Sequence, residues 1–571
     1  MLKELKGVGA SPGIAVGEVL VLEDEDLSYE KKKIKDTEEE KEKLKKALEL
    51  SKDQLNAIKD KVEREMGSDK AEIFQAHLMV LDDPELIGAV ERKVDGEEVN
   101  VEAALDETVQ EFATLFANMD NDYMKERAAD IKDVGSRILK NLLGVQTLDL
   151  GQLDKEVVLV AEDLTPSDTA QVNKGNLLGF VTKIGGRTSH TAIMARSLEV
   201  PAVVGVSDIL EGVESGDKII LDGQEGNVII NPSEEQLSDY DKKAKEYKER
   251  KERLAQLKEL PAQTKDGHRV ELVANIGTPK DVEGALANGA EGVGLYRSEF
   301  LYMDRDSLPT EEEQFKAYKE VAQRMDGPIV IRTLDIGGDK ELSYLDLPEE
   351  MNPFLGYRAI RICLDKVDIF KTQLRAILRA SDYGNVKIMY PMISAVEQLR
   401  AANEILAEVK AELKEEGVSF KEDLEVGIMI EIPAAAMIAD VLAKETDFFS
   451  IGTNDLIQYT TATDRMNENI SHLYQPFHPA LLRLIKRVVE AAHKEGNWAG
   501  MCGEMAGDKK LAPFLLGVGL DEFSMSGLSI PEVKDRIRNL DLEEAKEIAQ
   551  EALNFATAKE VEDFLTSKLN N

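Results

Sequence analysis

The segment KIGGRTSHTAIMAR, residues 183–196, holds the histidine best placed for group transfer. Gly185 and Gly186 permit a sharp backbone turn, hydroxyls at Thr188, Ser189 and Thr191 surround His190, and Ala192, Ile193, Met194 and Ala195 read as a buried helix start. An imidazole at a helix N-terminus meets free N–H groups and the positive end of the helix dipole, a setting that favours an anion such as a phosphoryl group. A histidine beside an apolar run also has a purely structural use, so this stretch alone leaves both readings open.

A second constellation lies after Pro261. Eight apolar runs, VELVANI, GVGLYR, PIVIRTLDI, VKIMYPM, EVGIMIE, FFSIGTND, WAGMCGE and DEFSM, alternate with helical segments. The alternation predicts a (β/α)8 TIM barrel, a fold whose active sites form at the C-terminal strand ends. Arg297 closes the second run, Arg332 sits late in the third, Glu431 ends the fifth, Asn454 and Asp455 end the sixth, and Cys502 ends the seventh. Arg358 lies in the connection after the third run, and Arg465 follows the sixth. Arginines grip phosphate and carboxylate through paired N–H groups, so this rim suits a small, highly anionic substrate. Two carboxylates on neighbouring strand ends can hold Mg²⁺ and leave positions for water and substrate oxygens; a thiol among small residues can give or take a proton. Singly, each residue is as readily a rim ion pair or a buried small side chain, and only their conjunction points to a site.

The elements that must present His190 come earlier. Residues 7–22 read as one strand with a Gly/Pro-rich entry. From about Lys31 the chain turns helical, with Leu44, Leu48, Leu55, Ile58, Val62 and Met66 at amphipathic spacing, and stays so to about Leu143. Short strands and helices then return, making an α/β unit whose sheet the first strand would close. The reading is an α/β domain of residues 1–23 and 144–232, an inserted helical bundle at 24–143, a charged linker helix at 233–260 and the barrel at 261–571. The histidine and the rim fall in different domains, so a swing about hinges near Pro232 and Pro261 is expected.

Composition narrows the partners. A net charge of −39 over 571 residues repels nucleic-acid phosphates and anionic membranes. No apolar run reaches membrane-spanning length, and the first residues lack the order of an export signal. The two cysteines, Cys363 and Cys502, have neither disulfide-framework nor zinc-ligand spacing, so a reducing cytoplasm fits.

With these motifs assembled, the chain resembles Enzyme I of the bacterial phosphoenolpyruvate-dependent sugar phosphotransferase system. GGRTSHTAIMAR, YRSEFL, RTLDIGGDK, FLGYRAIR, IEIPAAA, IGTNDLIQY and GMCGEMAGD carry the resemblance over essentially the whole chain. It implies that His190 takes a phosphoryl group from phosphoenolpyruvate and passes it to a histidine of the carrier protein HPr. It implies further that Arg297, Arg332, Asn454 and Arg465 bind phosphoenolpyruvate, that Glu431 and Asp455 hold Mg²⁺, and that Cys502 donates the proton that makes pyruvate. Thr169 would orient His190, Arg127 would partner its phosphorylated form, the helical insert would dock HPr, and the barrel would form a homodimer. Pyruvate phosphate dikinases and phosphoenolpyruvate synthases are the nearest alternative. They need a nucleotide-binding domain, and the insert here carries no Gly-rich phosphate loop. A non-catalytic phosphoenolpyruvate sensor is the other alternative, against which His190 and Cys502 both count.

Overall fold

The computed structural model describes residues 2–22, 27–66, 68–117, 122–145, 155–165, 175–186, 189–198, 200–303, 305–338, 340, 342–467 and 469–569. The chain divides into two units, Met1–Arg250 and Lys251–Asn571.

The first unit is built on an eight-stranded sheet: β1 (Lys3–Lys6), β2 (Val8–Ser11), β3 (Ile14–Val21), β4 (Val157–Ala161), β5 (Leu177–Thr182), β6 (Ala202–Val204), β7 (Lys218–Asp222) and β8 (Asn227–Ile230). Its order is β1-β8-β7-β3-β4-β5-β6-β2. Residues 7–22 are therefore not one strand. Pro12 lacks an N–H for a ladder, and Gly13 takes a φ of +132°. The break sends β2 to the sheet edge beside β6, while β3 lies in the middle, antiparallel to β7 and parallel to β4. Alternate residues of the central strands feed two separate cores: Leu159, Phe180 and Ala202 on one face, Val158, Val181 and Val203 on the other.

Between β3 and β4 the described residues form five helices, α1 (Thr37–Met66), α2 (Ser68–Leu81), α3 (Pro84–Glu97), α4 (Val101–Ala117) and α5 (Asp122–Leu143). The spacing read from α1 is the seam that packs over its described side chains: Leu44, Leu55, Ile58 and Val62 are buried and Leu48 lies against the same core, while the Met66 side chain lies outside those described. Burying each such side chain contributes about 1.5–3 kcal/mol, which exceeds any helix propensity term. Asp83 accepts from the Glu85 N–H and Pro84 takes the first position, fixing the start of α3. Among the described residues two helices follow the insert, α6 (His190–Leu198) and α7 (Glu234–Gln256). The charge-rich α7 reads as exposed throughout, yet Leu237 and Tyr240 anchor its first turns on Ile220 and Ile229 of the sheet.

The second unit is a closed barrel of β9 (Glu271–Ile276), β10 (Val293–Arg297), β11 (Pro328–Arg332), β12 (Asn385–Tyr390), β13 (Val426–Ile430), β14 (Phe448–Ile451), β15 (Trp498–Met501) and β16 (Glu522–Met525). All neighbours are parallel, and β16 closes on β9. These are the eight runs expected from the sequence. Leu295, Val330, Met389, Met429 and Phe448 fill the interior, with Trp498 stacked on Phe448 at 4.3 Å. Among the described residues no helix is long and apolar enough to cross a membrane.

Candidate active site

A cavity of about 790 Å³ opens at the C-terminal ends of the barrel strands. Its lining brings together Arg297, Arg332, Arg358, Glu431, Asn454, Asp455, Arg465 and Cys502, every barrel residue that strand-end position had marked. They arrive from the C-terminal ends of five strands and the connections that follow them, so only closure of the sheet could collect them. Arg297 is exposed at the mouth, 5.3 Å from the Phe300 ring. Asn454 opens the helix Thr453–Thr461 and donates to Glu504 Oε1 at 3.3 Å.

Three further lining residues, Glu299, Asp335 and Lys340, escaped sequence reasoning although they sit inside YRSEFL and RTLDIGGDK. Glu299 and Asp335 are almost fully buried, at 1% and 2% exposure, because they neutralise the arginines. Arg332 pairs with Glu299 at 2.5 Å and Asp335 at 3.0 Å. Lys340 reaches Glu299 at 2.8 Å, and Arg358 reaches Asp335 at 2.9 Å and Asp455 at 3.4 Å. Burial opposes ionisation of Asp335 most strongly, but Arg332, Arg358 and Lys340 together hold its carboxyl far below the usual range. The cations are thus fixed before any substrate arrives, which spares the reaction their reorganisation. Arg358→Ala is expected to lower unfolding stability by about 3–5 kcal/mol, since it leaves Asp335 and Asp455 short of a buried counter-charge. Denaturant titration of the variant measures this, and a loss below about 1 kcal/mol would mean the network is not so tightly matched.

Glu431 is 1% exposed and accepts from the Met392 N–H at 2.6 Å. Burial, then the carboxylates of Asp455 and Asp335, push it up to about 8, against the pull of Arg332 and Arg358. Asp455 Oδ1 is buried without a hydrogen-bond partner, and a side chain at Gly452 would begin 3.0 Å from Glu431 Oε2. Two crowded carboxylates, one with an orphaned oxygen, beside a gap kept clear by glycine fit a divalent cation. Among the described residues no group of three or more His, Cys, Asp or Glu could hold a metal. Mg²⁺ fits that donor set, because it takes one or two carboxylates and completes its shell with water and substrate oxygens.

Cys502 is 5% exposed, with Sγ 3.8 Å from the Ile451 carbonyl oxygen. Burial pushes its thiol up to about 12, so it stays protonated at neutral pH and holds a proton to give.

His190 is the first residue of α6 in the other unit. The chain turns into it at Gly185, with a φ of +117°, and Ser189 caps the helix by accepting from the Ala192 N–H at 3.3 Å. Thr191 donates to Asp163 Oδ1 at 3.0 Å and to the Leu164 carbonyl at 3.1 Å, tying the helix start to the loop after β4. The expected buried start needs one correction. Ala192, Met194 and Ala195 are buried, but Ile193 is 40% exposed, because the face that carries Thr191, Ala195 and Leu198 turns it outward. Thr169 and Thr188 lie outside the described residues. Arg127 lies half-buried in α5.

Comparison with known proteins bears on the whole chain. Residues 251–542 match the family model for the PEP-binding domain of PEP-utilising enzymes, residues 6–127 the N-terminal one and residues 153–226 the mobile domain. The phosphoenolpyruvate-protein phosphotransferase of Priestia megaterium is 57% identical over 568 residues, covering 99% of both chains. Those of Listeria monocytogenes serovar 1/2a and Bacillus subtilis (strain 168) are also 57% identical, over 562 and 565 residues, covering 98% and 99% of both chains. A barrel mouth lined by fixed arginines, a separate histidine-bearing α/β unit and likeness from end to end lead to one assignment: the chain belongs to the phosphoenolpyruvate-protein phosphotransferase family of PEP-utilising enzymes.

Proposed function

We propose that this protein transfers the phosphoryl group of phosphoenolpyruvate to His190 and then to a histidine of HPr, releasing pyruvate in the first step of sugar uptake by the phosphotransferase system. The observation that carries the reading is the convergence of Arg297, Arg332, Arg358 and Arg465 with Asn454 and Cys502 on one cavity. Phosphoryl transfer demands positioning and charge neutralisation more than covalent chemistry, and this lining supplies both. The arginines and Asn454 hold the phosphate and carboxylate of the substrate. A neutral imidazole nitrogen of His190 attacks phosphorus in line; the P–N bond forms as the P–O bond to the enol oxygen breaks, and the enolate of pyruvate leaves. Cys502 gives its proton to the methylene carbon, producing pyruvate and a thiolate. Mg²⁺, held by Glu431 and Asp455, would neutralise charge on the phosphoryl and carboxylate oxygens.

Thr169 is assigned the orientation of His190, and Arg127 a contact with its phosphorylated form. HPr docks on the helices α1–α5, the barrel forms the homodimer, and the protein works in the cytoplasm. His190 visits the barrel mouth and the carrier in turn, so residues near Pro232 and Pro261 act as hinges.

Incubation with phosphoenolpyruvate and Mg²⁺, with no nucleotide present, should release pyruvate and load phosphate for transfer to HPr. Removing divalent metal with a chelator is expected to slow pyruvate release by at least about a hundredfold. A requirement for a nucleotide would instead favour a dikinase or synthase, and binding without pyruvate release would favour a sensor.

A further inference from the structure

Strands β14, β15 and β16 set Ser450, Gly500 and Glu522 side by side in register. Gly500 lies midway between Trp498 and Cys502, both of which face the barrel interior, so this row faces inward too. A methyl group at Gly500 would lie 2.9 Å from Glu522 Oε1. The missing side chain lets the Glu522 carboxyl lean over β15, one inward step below Cys502. Glu522 is 1% exposed, and neither carboxyl oxygen has a hydrogen-bond partner. The Ser450 hydroxyl neighbours the Cys502 thiol and is itself buried without a hydrogen-bond partner, so it is free to turn toward sulfur or toward the row's carboxyl.

Beneath this row a second cavity, of about 470 Å³, opens at the N-terminal end of the barrel and is lined in part by Glu522. Apart from Glu271, the charged groups around it are otherwise engaged. Lys387 pairs with Glu425 at 2.8 Å, Arg269 with Glu291 at 3.1 Å, and Asp521 with His493 at 2.8 Å. Burial first, then Glu271, Glu425 and Asp521, push Glu522 up to about 8 against the pull of Lys387, so the carboxyl is largely protonated at neutral pH. An uncharged acid thus sits between water at one end of the barrel and the thiol at the other.

We propose that Glu522 returns a proton to Cys502 between turnovers, through Ser450, drawing it from water in the lower cavity. The proposal rests on the reading of Cys502 as the donor to the enolate. Donation leaves a thiolate; the Ser450 O–H gives its proton to sulfur and takes one from the Glu522 carboxyl; the resulting carboxylate is reprotonated by water from below. The transfer runs downhill, because the carboxyl releases its proton near 8 while the thiol holds its own to about 12. Substrate filling the upper cavity excludes water from the thiol's other face, which makes a separate supply useful. Glu522 touches no substrate, so it acts as a relay and positioning residue.

The test mixes the full chain with phosphoenolpyruvate, Mg²⁺ and carbon-labelled pyruvate in deuterium oxide and follows two rates by NMR. One is exchange of the carbon label between pyruvate and phosphoenolpyruvate; the other is deuterium uptake into the pyruvate methyl group. In the unaltered protein, uptake keeps pace with label exchange, since every thiolate is refilled from solvent. Glu522→Gln preserves volume but removes the acid, and is expected to lower deuterium uptake relative to label exchange at least about tenfold. Ser450→Ala is expected to do the same, which keeps the test available should Glu522→Gln fold poorly. General damage slows both rates together and leaves their ratio alone, so an unchanged ratio in either folded variant overturns the relay. Cys502→Ala separates the two readings: if it leaves both rates intact, the donor assignment fails, whatever Glu522→Gln does.

Discussion

Cys502→Ala is expected to slow pyruvate formation by about 10²–10⁴-fold while phosphoenolpyruvate still binds. The arginines and Asn454 that would hold the substrate do not depend on the sulfur; Arg332 and Arg358 are braced by Glu299, Asp335 and Asp455 instead. The thiol makes only weak polar contacts, a long one to the Ile451 carbonyl and one with the Ser450 hydroxyl, so its removal costs little stability beyond a small void of roughly 1 kcal/mol. What disappears is a proton held until an acceptor far more basic than water arrives. Rapid-quench measurement of pyruvate, paired with a binding titration, separates the two effects: the rate should collapse and the affinity should hold. An unchanged rate would remove the donor role from Cys502.

The barrel was legible because each strand is a short apolar run bounded by turn residues, and the fold's rule about strand ends converts sequence position into location. That rule placed Arg332, Glu431 and Cys502 at one rim before any coordinates, and the closed sheet gathers them there. Glu299 and Asp335 were not legible for a physical reason: acidic side chains read as exposed, and only pairing with Arg332 and Arg358 makes their burial tolerable. Glu522 hid differently, since its burial depends on the absent side chain of Gly500 on the neighbouring strand. In the first unit, the charge of α7 concealed an anchor of two residues, Leu237 and Tyr240, too short to register as periodicity. The Pro12–Gly13 break was visible as composition, but what it accomplishes, sending β2 to an edge and β3 to the centre, is a property of the assembled sheet.

His190→Ala is expected to abolish phosphate uptake altogether. The role needs a nitrogen that attacks as a neutral base, survives as a labile phosphoryl carrier and rides on an element able to leave the barrel. Three of the other five histidines are committed elsewhere: His77 to Asp130, His493 to Asp521, and His478 to the N–H of Ala480 at a helix start. A loss of this kind is all-or-none, unlike the graded losses expected for Cys502 or Arg358. The direct measurement is intact-protein mass spectrometry after incubation with phosphoenolpyruvate and Mg²⁺ alone. The unaltered chain should gain one acid-labile phosphoryl group, mapped to His190, and His190→Ala should gain none; a variant that labels as fully as its parent would contradict the assignment of His190 as the carrier.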